Sequence, residues 1–600
     1  MTQTKSKAVN RRKPGKLAPI ARWRFYGVGV VLCAMTGVAA WHVASLQVLP
    51  GKDKGYEFLQ VQGQARTLRT ESISAYRGVI TDRHGEPLAV SSPVQSIWAN
   101  PQILNESPQS LSALAAALRV DREAIAAKLK RYRDKEFVYL KRHLPPQRAE
   151  QVLALKTPGV FAEREYRRFY PAGEVAAHVV GFTDIDDRGQ EGMELAFDDW
   201  LTGTDGAKQV LKDLKGRVVK DVQLLRAAQS GKDLRLSIDL RLQYLAYREL
   251  KTAVKEHRAK SGSVVVLDTQ TGEILAMANQ PSYNPNDRSR IRAVALRNRA
   301  ITDQFEPGST MKPITVMAAL ETGRYLPHTP VDTSPGYVRV GKKTLLDPIN
   351  YGVIDVTKIL TKSSQVGLTK LALDMEPEAI RDMYFRLGLG QDTGSGFPGE
   401  SVGVLPNHSR WQPIVQANFA FGYGMSATVL QLAQAYSVIA NDGLKRPISL
   451  LKVDDRPTGE SVVEPRYTRQ LIDMLKTVTE KGGTATRASL ANYEVAGKTG
   501  TVHKVSAQGG YEDDSYLALF AGIAPAEHPR IVTVVMINEP SAGKYFGGEV
   551  AAPVFAKVAS GALRLMQVPP RNVASAGKNR PAKVAQGQQS NIAKQDIPVT

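Results

Sequence analysis

Ser309-Thr310-Met311-Lys312 sets a hydroxyl and an amine three residues apart. The tetrad follows Pro307-Gly308 and leads into the apolar run PITVMAALETG. This spacing predicts a helix on which Ser309 and Lys312 share one face. A serine hydroxyl is a weak nucleophile until a neighbouring base takes its proton. A lysine can be that base when burial or another cation keeps it neutral. The start of a helix also offers unpaired N–H groups to an anion forming beside it.

Spacing alone does not single out Ser309, because Ser449–Lys452, Ser541–Lys544 and Ser575–Lys578 repeat it. Two features separate Ser309 from these. One is the Pro-Gly turn before a helix. The other lies far downstream, in Lys498-Thr499-Gly500-Thr501, on the first of three apolar runs that read as strands: YEVAGKTGT, YLALFAGIAP and IVTVVMINEP. A glycine inside a strand marks close approach by another backbone or a ligand. Lys498 with two threonine hydroxyls suits a carboxylate, and its ammonium is expected to help keep Lys312 neutral. The alternative is an ordinary lysine on an exposed edge strand.

The elements that must position these groups can be read around them. Asp239 is placed to cap a helix through LRLQYLAYRELKTAVKEH. SVVVLD and EILAMA flank Thr269-Gln270-Thr271-Gly272 as a hairpin. Several helices follow, then the three strands, then the amphipathic segment EVAAPVFAKVASGALRL. That order implies an antiparallel sheet with helices on its faces. Residues 47–235 are richer in charge. There SLSALAAALRVDREAIAAKLKR reads as two helices broken near Val120-Asp121, among strands and Gly/Pro turns.

Between Phe25 and Gly51 there is no Asp, Glu, Lys or Arg, and Phe25–Ser45 has the length of a membrane span. Eight basic residues and no acid precede it, which predicts a cytoplasmic N-terminus and an exported remainder. A cleaved signal peptide is the alternative, but its apolar stretch would be shorter and end in a small-residue site. Cys33, the one cysteine, lies in this span. The exported part therefore forms no disulfide and no multi-thiolate zinc site.

The 600 residues carry 79 Lys and Arg against 58 Asp and Glu, a net +21. Residues 1–24 account for +8 and residues 571–600 for +4, so 12 of the 21 excess charges sit in the two ends. The charge is not concentrated on one domain, and no nucleic-acid partner is expected.

Taken together, Ser309–Lys312 and Lys498–Thr501 match the order of motifs in serine β-lactamases and penicillin-binding proteins. The sequence most resembles a class B penicillin-binding protein of the division-specific type. The likeness runs from the apolar span to about residue 568. It includes Arg77-Gly78-Val79-Ile80-Thr81-Asp82-Arg83-His84-Gly85 and YPAGEVAAHVVGFTDIDDRGQEGMEL. It also includes FEPGSTMKP, FAFGYGMSATVLQLAQAYSVIANDG, AGKTGT and INEPSAGKYFGG. The middle element departs: the family has Ser-x-Asn where this chain has Ser363-Ser364-Gln365.

The resemblance implies a multidomain α+β protein: basic tail 1–24, transmembrane anchor 25–46, non-catalytic pedestal or dimerisation domain 47–235, transpeptidase domain 236–568 and disordered tail 569–600. It implies a D,D-transpeptidase that cross-links peptidoglycan stem peptides during septal wall synthesis, without metal or cofactor. Ser309 would attack the penultimate D-Ala carbonyl and Lys312 accept its proton. Ser363 would pass that proton to the departing D-alanine. Gln365 would position the substrate amide, one methylene further out than Asn. Lys498, Thr499, Gly500 and Thr501 would hold the terminal carboxylate, with the Ser309 and Thr501 N–H groups as oxyanion hole. β-Lactams would trap Ser309. The implied partners are nascent or lipid-linked glycan strands, a membrane-embedded glycan polymerase and other division proteins. The implied place is the bacterial inner membrane, with the catalytic domain periplasmic. The alternatives are a β-lactamase, which should be shorter and soluble, a membrane β-lactam sensor, which needs a signalling module, and a scaffold that has lost catalysis. No glycosyltransferase signature occurs in 47–235.

Overall fold

The computed structural model describes residues 21–47, 55, 57–59, 61, 63, 68–213, 218–289, 291–505 and 509–570. The expected basic tail at 1–24 lies mostly outside these residues, and the expected tail at 569–600 almost wholly so.

The uncharged segment lies in one helix, α1 (Arg22–Gln47), which has no buried residue and whose most apolar 18-residue window has a mean hydropathy of 1.7. Its 26 residues rise roughly 39 Å, enough to cross a hydrocarbon core of about 30 Å.

The charged block is a mixed α/β unit. Its strands include β1 (Leu68–Ile73), β2 (Ile80–Thr81), β3 (Pro87–Ala99), β4 (Val138–Leu144), β5 (Val160–Phe169), β6 (Gly206–Lys212), β7 (Val218–Arg226) and β8 (Leu234–Arg235). One sheet runs β1-β6-β7. Another runs β8-β2-β3-β4, with β5 also paired to β3 from Val90↔Phe169 to Ala99↔Val160. Two helices, α2 (Leu111–Leu118) and α3 (Arg122–Arg131), break where the sequence predicted. Arg119 adopts left-handed geometry after α2, and the Asp121 side chain caps α3 by accepting from Ala124 N. Leu114, Leu118, Ile125 and Leu129 pack with Ile97 as a small separate core.

The second block begins with α4 (Leu240–Glu256), whose N-cap Asp239 accepts from Arg241 N and Leu242 N. Then come β9 (Ser261–Asp268), β10 (Ile274–Gln280), α5 (Lys312–Glu321), β11 (Tyr337–Val340), β12 (Lys343–Leu346), α6 (Val356–Lys362) and α7 (Gln365–Leu373). They are followed by α8 (Val429–Ala440), α9 (Pro465–Thr479), β13 (Ala496–Val505), β14 (Tyr511–Ala524), β15 (Ile531–Asn538) and α10 (Ala552–Leu565). The main sheet has the order β10-β9-β15-β14-β13, antiparallel throughout. Every residue of β9 and β10 is buried, which requires helices over both faces. The pair α4 and α10 packs on the sheet, as do α8 and α9. Helix α5 is buried on every side from Lys312 to Leu320, so it runs through the core rather than along the surface.

The motif at 77–85 braces the charged block from within and, through Asp82 and Arg83, ties it to the second block. Arg77 Nε meets Glu194 Oε2 at 2.8 Å, and Arg168 Nε meets Glu194 Oε1 at 2.6 Å, all three residues being buried. Asp82 Oδ2 accepts from Leu240 N at 3.0 Å, a second cap on α4, and Arg83 reaches the fully buried Glu273 at 3.1 Å. Gly78 must be glycine: a Cβ there would lie 2.0 Å from the Lys232 carbonyl oxygen.

Candidate active site

Ser309 lies on a 3-10 turn, Gly308–Met311, that runs directly into α5 at Lys312. The helix expected to start at the tetrad therefore starts at its last member. A 3-10 turn eclipses residues i and i+3, which keeps Ser309 and Lys312 on one side. The turn depends on Gly308, whose φ of +56° is left-handed and whose Cβ would stand 2.3 Å from Val502 Cγ2 on β13. Ser309 is half-buried, and among the described residues its Oγ has no hydrogen-bond partner.

Lys312 is 1% exposed. Its Nζ donates to the Ser363 carbonyl oxygen at 2.6 Å and to Ser363 Oγ at 3.1 Å, and lies 5.3 Å from the Phe421 ring centre. Ser363 sits between α6 and α7 with φ of +57°. Its own N–H donates to Leu360 O, and the next N–H, of Ser364, donates to Ile359 O. Ser364 is buried and caps α7, accepting from Gly367 N. Gln365 is the first residue of α7 and its side chain is exposed.

Lys498 is fully buried on β13, which rules out the ordinary exposed lysine, although β13 is the sheet's edge strand. Its Nζ donates to Thr499 O at 3.2 Å and to Thr499 Oγ1 at 3.4 Å. Thr499 Oγ1 also meets Thr484 Oγ1 at 3.1 Å, and Thr501 Oγ1 accepts from Gly547 N at 3.0 Å. Gly500 is closely approached, as a strand glycine predicts: a Cβ there would meet Thr310 Cγ2 at 3.0 Å. The tetrad turn thus rests on β13.

Burial lowers Lys312 to about 7, and the carboxylate of Asp347 partly opposes this. Lys498 is pushed well below the ordinary lysine range, first by burial and then by the charge on Lys312. Two buried ammonium groups repel each other, so the charge on either favours the neutral form of the other.

Asp347 escaped the sequence reading. It follows β12, is buried, and accepts from Ser364 Oγ at 2.5 Å, Gln365 N at 2.6 Å and Val366 N at 3.2 Å. It stands 16 residues before Ser363, in no motif, and only the tertiary pairing reveals it.

The other Ser-x-x-Lys tetrads are built differently. Ser449 Oγ donates to Leu451 O while Lys452 turns to Glu273, and Ser541 Oγ donates to Arg258 O on the surface. Ser575–Lys578 lies outside the described residues. Among the described residues no group of three or more His, Cys, Asp or Glu converges as metal ligands would.

Residues 262–560 match the penicillin binding protein transpeptidase domain, and residues 72–236 the penicillin-binding protein dimerisation domain. The chain is 43% identical over 581 residues to peptidoglycan D,D-transpeptidase FtsI of Escherichia coli, covering 95% of this chain and 97% of that one. It is 43% identical over 518 residues to the probable peptidoglycan D,D-transpeptidase PbpC of Pseudomonas aeruginosa, covering 86% and 92%. Its fold matches penicillin binding protein 3 of Mycobacterium tuberculosis, solved with aztreonam. There the TM-score is 0.65 and the identity 30%, over 83% of this chain and 98% of that one.

Proposed function

The chain belongs to the class B penicillin-binding proteins of the division type, serine D,D-transpeptidases of peptidoglycan, and on that premise we propose which of its residues carry the reaction. The observation that carries the reading is the buried Lys312, bonded to Ser363 and one 3-10 turn from an unpartnered Ser309 hydroxyl.

Neutral Lys312 takes the proton of Ser309 Oγ as that oxygen attacks the penultimate D-Ala carbonyl. The tetrahedral oxyanion lies against the Ser309 and Thr501 N–H groups. Each such donor is worth roughly 3–4 kcal/mol in the transition state. Edge strand β13 leaves one row of backbone groups without a sheet partner, which supports this placement. Collapse expels D-alanine, whose amine takes the proton from Lys312 through the Ser363 hydroxyl. An amine of a neighbouring stem peptide then attacks the acyl-enzyme. It returns a proton by the same path and forms the cross-link. A β-lactam acylates Ser309 in the same way, but its leaving amine stays attached.

Lys498, Thr499 and Thr501 receive the substrate carboxylate, with Gly500 letting the strand approach. Thr499 and Thr501 point to the same face of β13. An arriving carboxylate favours the charged form of Lys498. That charge in turn pushes Lys312 toward the neutral form it needs. Gln365, exposed at the start of α7, is placed to meet the acylamide chain.

We assign 1–24 to the cytoplasm, 25–46 to the inner membrane, 47–235 to a pedestal, 236–568 to the periplasmic transpeptidase domain and 569–600 to a tail. The eight basic residues ahead of the apolar span support that orientation. The pedestal is the surface offered to a membrane-embedded glycan polymerase and other division proteins. The intact contact between Lys312 and Ser363 argues against a scaffold that has lost catalysis. The test is release of D-alanine, with amide formation to an added amine, from a stem peptide ending in D-Ala-D-Ala. No release by the full-length protein would refute the assignment.

A further inference from the structure

Asp347 has no counterpart in the steps above, yet it is wired to the turn that carries two of their side chains. The Ser363–Gln365 turn is held from three directions. From α5, Lys312 Nζ donates to Ser363 O. From α6, the Leu360 and Ile359 carbonyls receive the N–H groups of Ser363 and Ser364. From the segment after β12, Asp347 takes the first two N–H groups of α7 and the Ser364 hydroxyl. Asp347 is itself fixed through its N–H to Gly336 O, beside the β11–β12 hairpin. A carboxylate at a helix N-terminus that takes three donors is a strong, geometrically defined anchor.

We propose that Asp347 is a positioning residue for acyl transfer: its carboxylate, seated on the N-terminus of α7, holds Ser363 and Gln365 in register with Lys312 and Ser309. The proposal rests on the Ser309–Lys312–Ser363 reading. An error of about 1 Å in such a group costs on the order of 100-fold in rate. Loosening this turn therefore slows acylation without touching any group that meets substrate.

The same carboxylate also opposes the lowering of Lys312. The charged and titratable groups around the turn are few. Lys312 faces it from α5, and Lys498 acts from β13 through Lys312. Tyr351, raised by burial and by Asp347, lies on the segment after β12. Lys362 and Lys370, on α6 and α7, turn away to the carbonyls of Gly482 and Asp332.

The test is the pH profile of acylation of the full-length protein by a fluorescent penicillin. Asp347→Asn keeps the shape and removes the charge. We expect the acylation rate to fall about tenfold or more. We also expect the acid limb to move to lower pH, because Lys312 loses the carboxylate that favours its charged form. Ser364→Ala keeps the charge and removes one contact. It is expected to slow acylation while leaving the acid limb in place, and it decides the matter if Asp347→Asn does not fold. An acid limb that stays put in a folded Asp347→Asn, or wild-type acylation in Ser364→Ala, overturns the proposal. Label on any residue other than Ser309 would instead overturn the reading on which it rests.

Discussion

Lys312 and Ser363 are joined twice, the amine of one donating to both the carbonyl oxygen at 2.6 Å and the hydroxyl at 3.1 Å of the other. The two residues are 51 positions apart, Lys312 at the start of α5 and Ser363 in the turn between α6 and α7. The carbonyl contact holds the amine beside the cleft. The hydroxyl contact gives its proton somewhere to go. A lysine so buried and so placed has little role in stability, since burying an ammonium carries a heavy desolvation cost.

Lys312→Arg is expected to be as damaging as Lys312→Ala. A guanidinium stays protonated at any working pH and cannot act as base. Losing a general base costs on the order of 100-fold or more in acylation rate. Stopped-flow acylation by a chromogenic β-lactam measures it, and an Arg variant near the wild-type rate contradicts the base role.

Acylation by the wild-type protein is expected to rise with pH through about 7, where buried Lys312 loses its proton. The active form is the neutral one, so activity is lost on the acid side. A profile flat from pH 5 to 9, with the protein folded throughout, contradicts this.

Ser309, Lys312 and the Lys498–Thr501 strand stood out in the sequence because local signals mark them, whereas Ser363 and Gln365 came only from the family resemblance. Pro307-Gly308 announces the turn, Gly500 the close approach to β13, and the uninterrupted apolar runs the sheet. The hairpin of β9 and β10 and the cap Asp239 fell where the pattern placed them. Asp347 gave no such signal. Between Leu346 and Pro348 an aspartate reads as a turn residue, and its meaning comes only from α7 folding onto it. Its carboxylate also favours the charged form of Lys312, an influence no sequence motif announced.

Gln365→Asn is expected to speed acylation by β-lactams with bulky side chains more than by small ones. Glutamine reaches one methylene further into the space the drug side chain needs, and fixing its extra torsion costs a fraction of a kcal/mol. Second-order acylation constants for a large and a small drug measure it. An equal change for both, or none, refutes the steric argument.

Glu194→Ala is expected to destabilise the charged block by about 3–5 kcal/mol, because it takes the carboxylate from buried Arg168 and leaves buried Arg77 with Asp198 alone. Thermal unfolding measures the loss. Protein that remains folded should still be acylated, since no step at Ser309 runs through this pin. A folded variant that cannot be acylated would show that the pin acts on the site directly.

The measurement that bears most directly on the whole account is mass spectrometry of the protein after reaction with a penicillin, with mapping of the modified peptide. One adduct is expected, on Ser309, and none on a folded Ser309→Ala protein. An adduct on Ser449, Ser541 or Ser575, or labelling that survives Ser309→Ala, would contradict it.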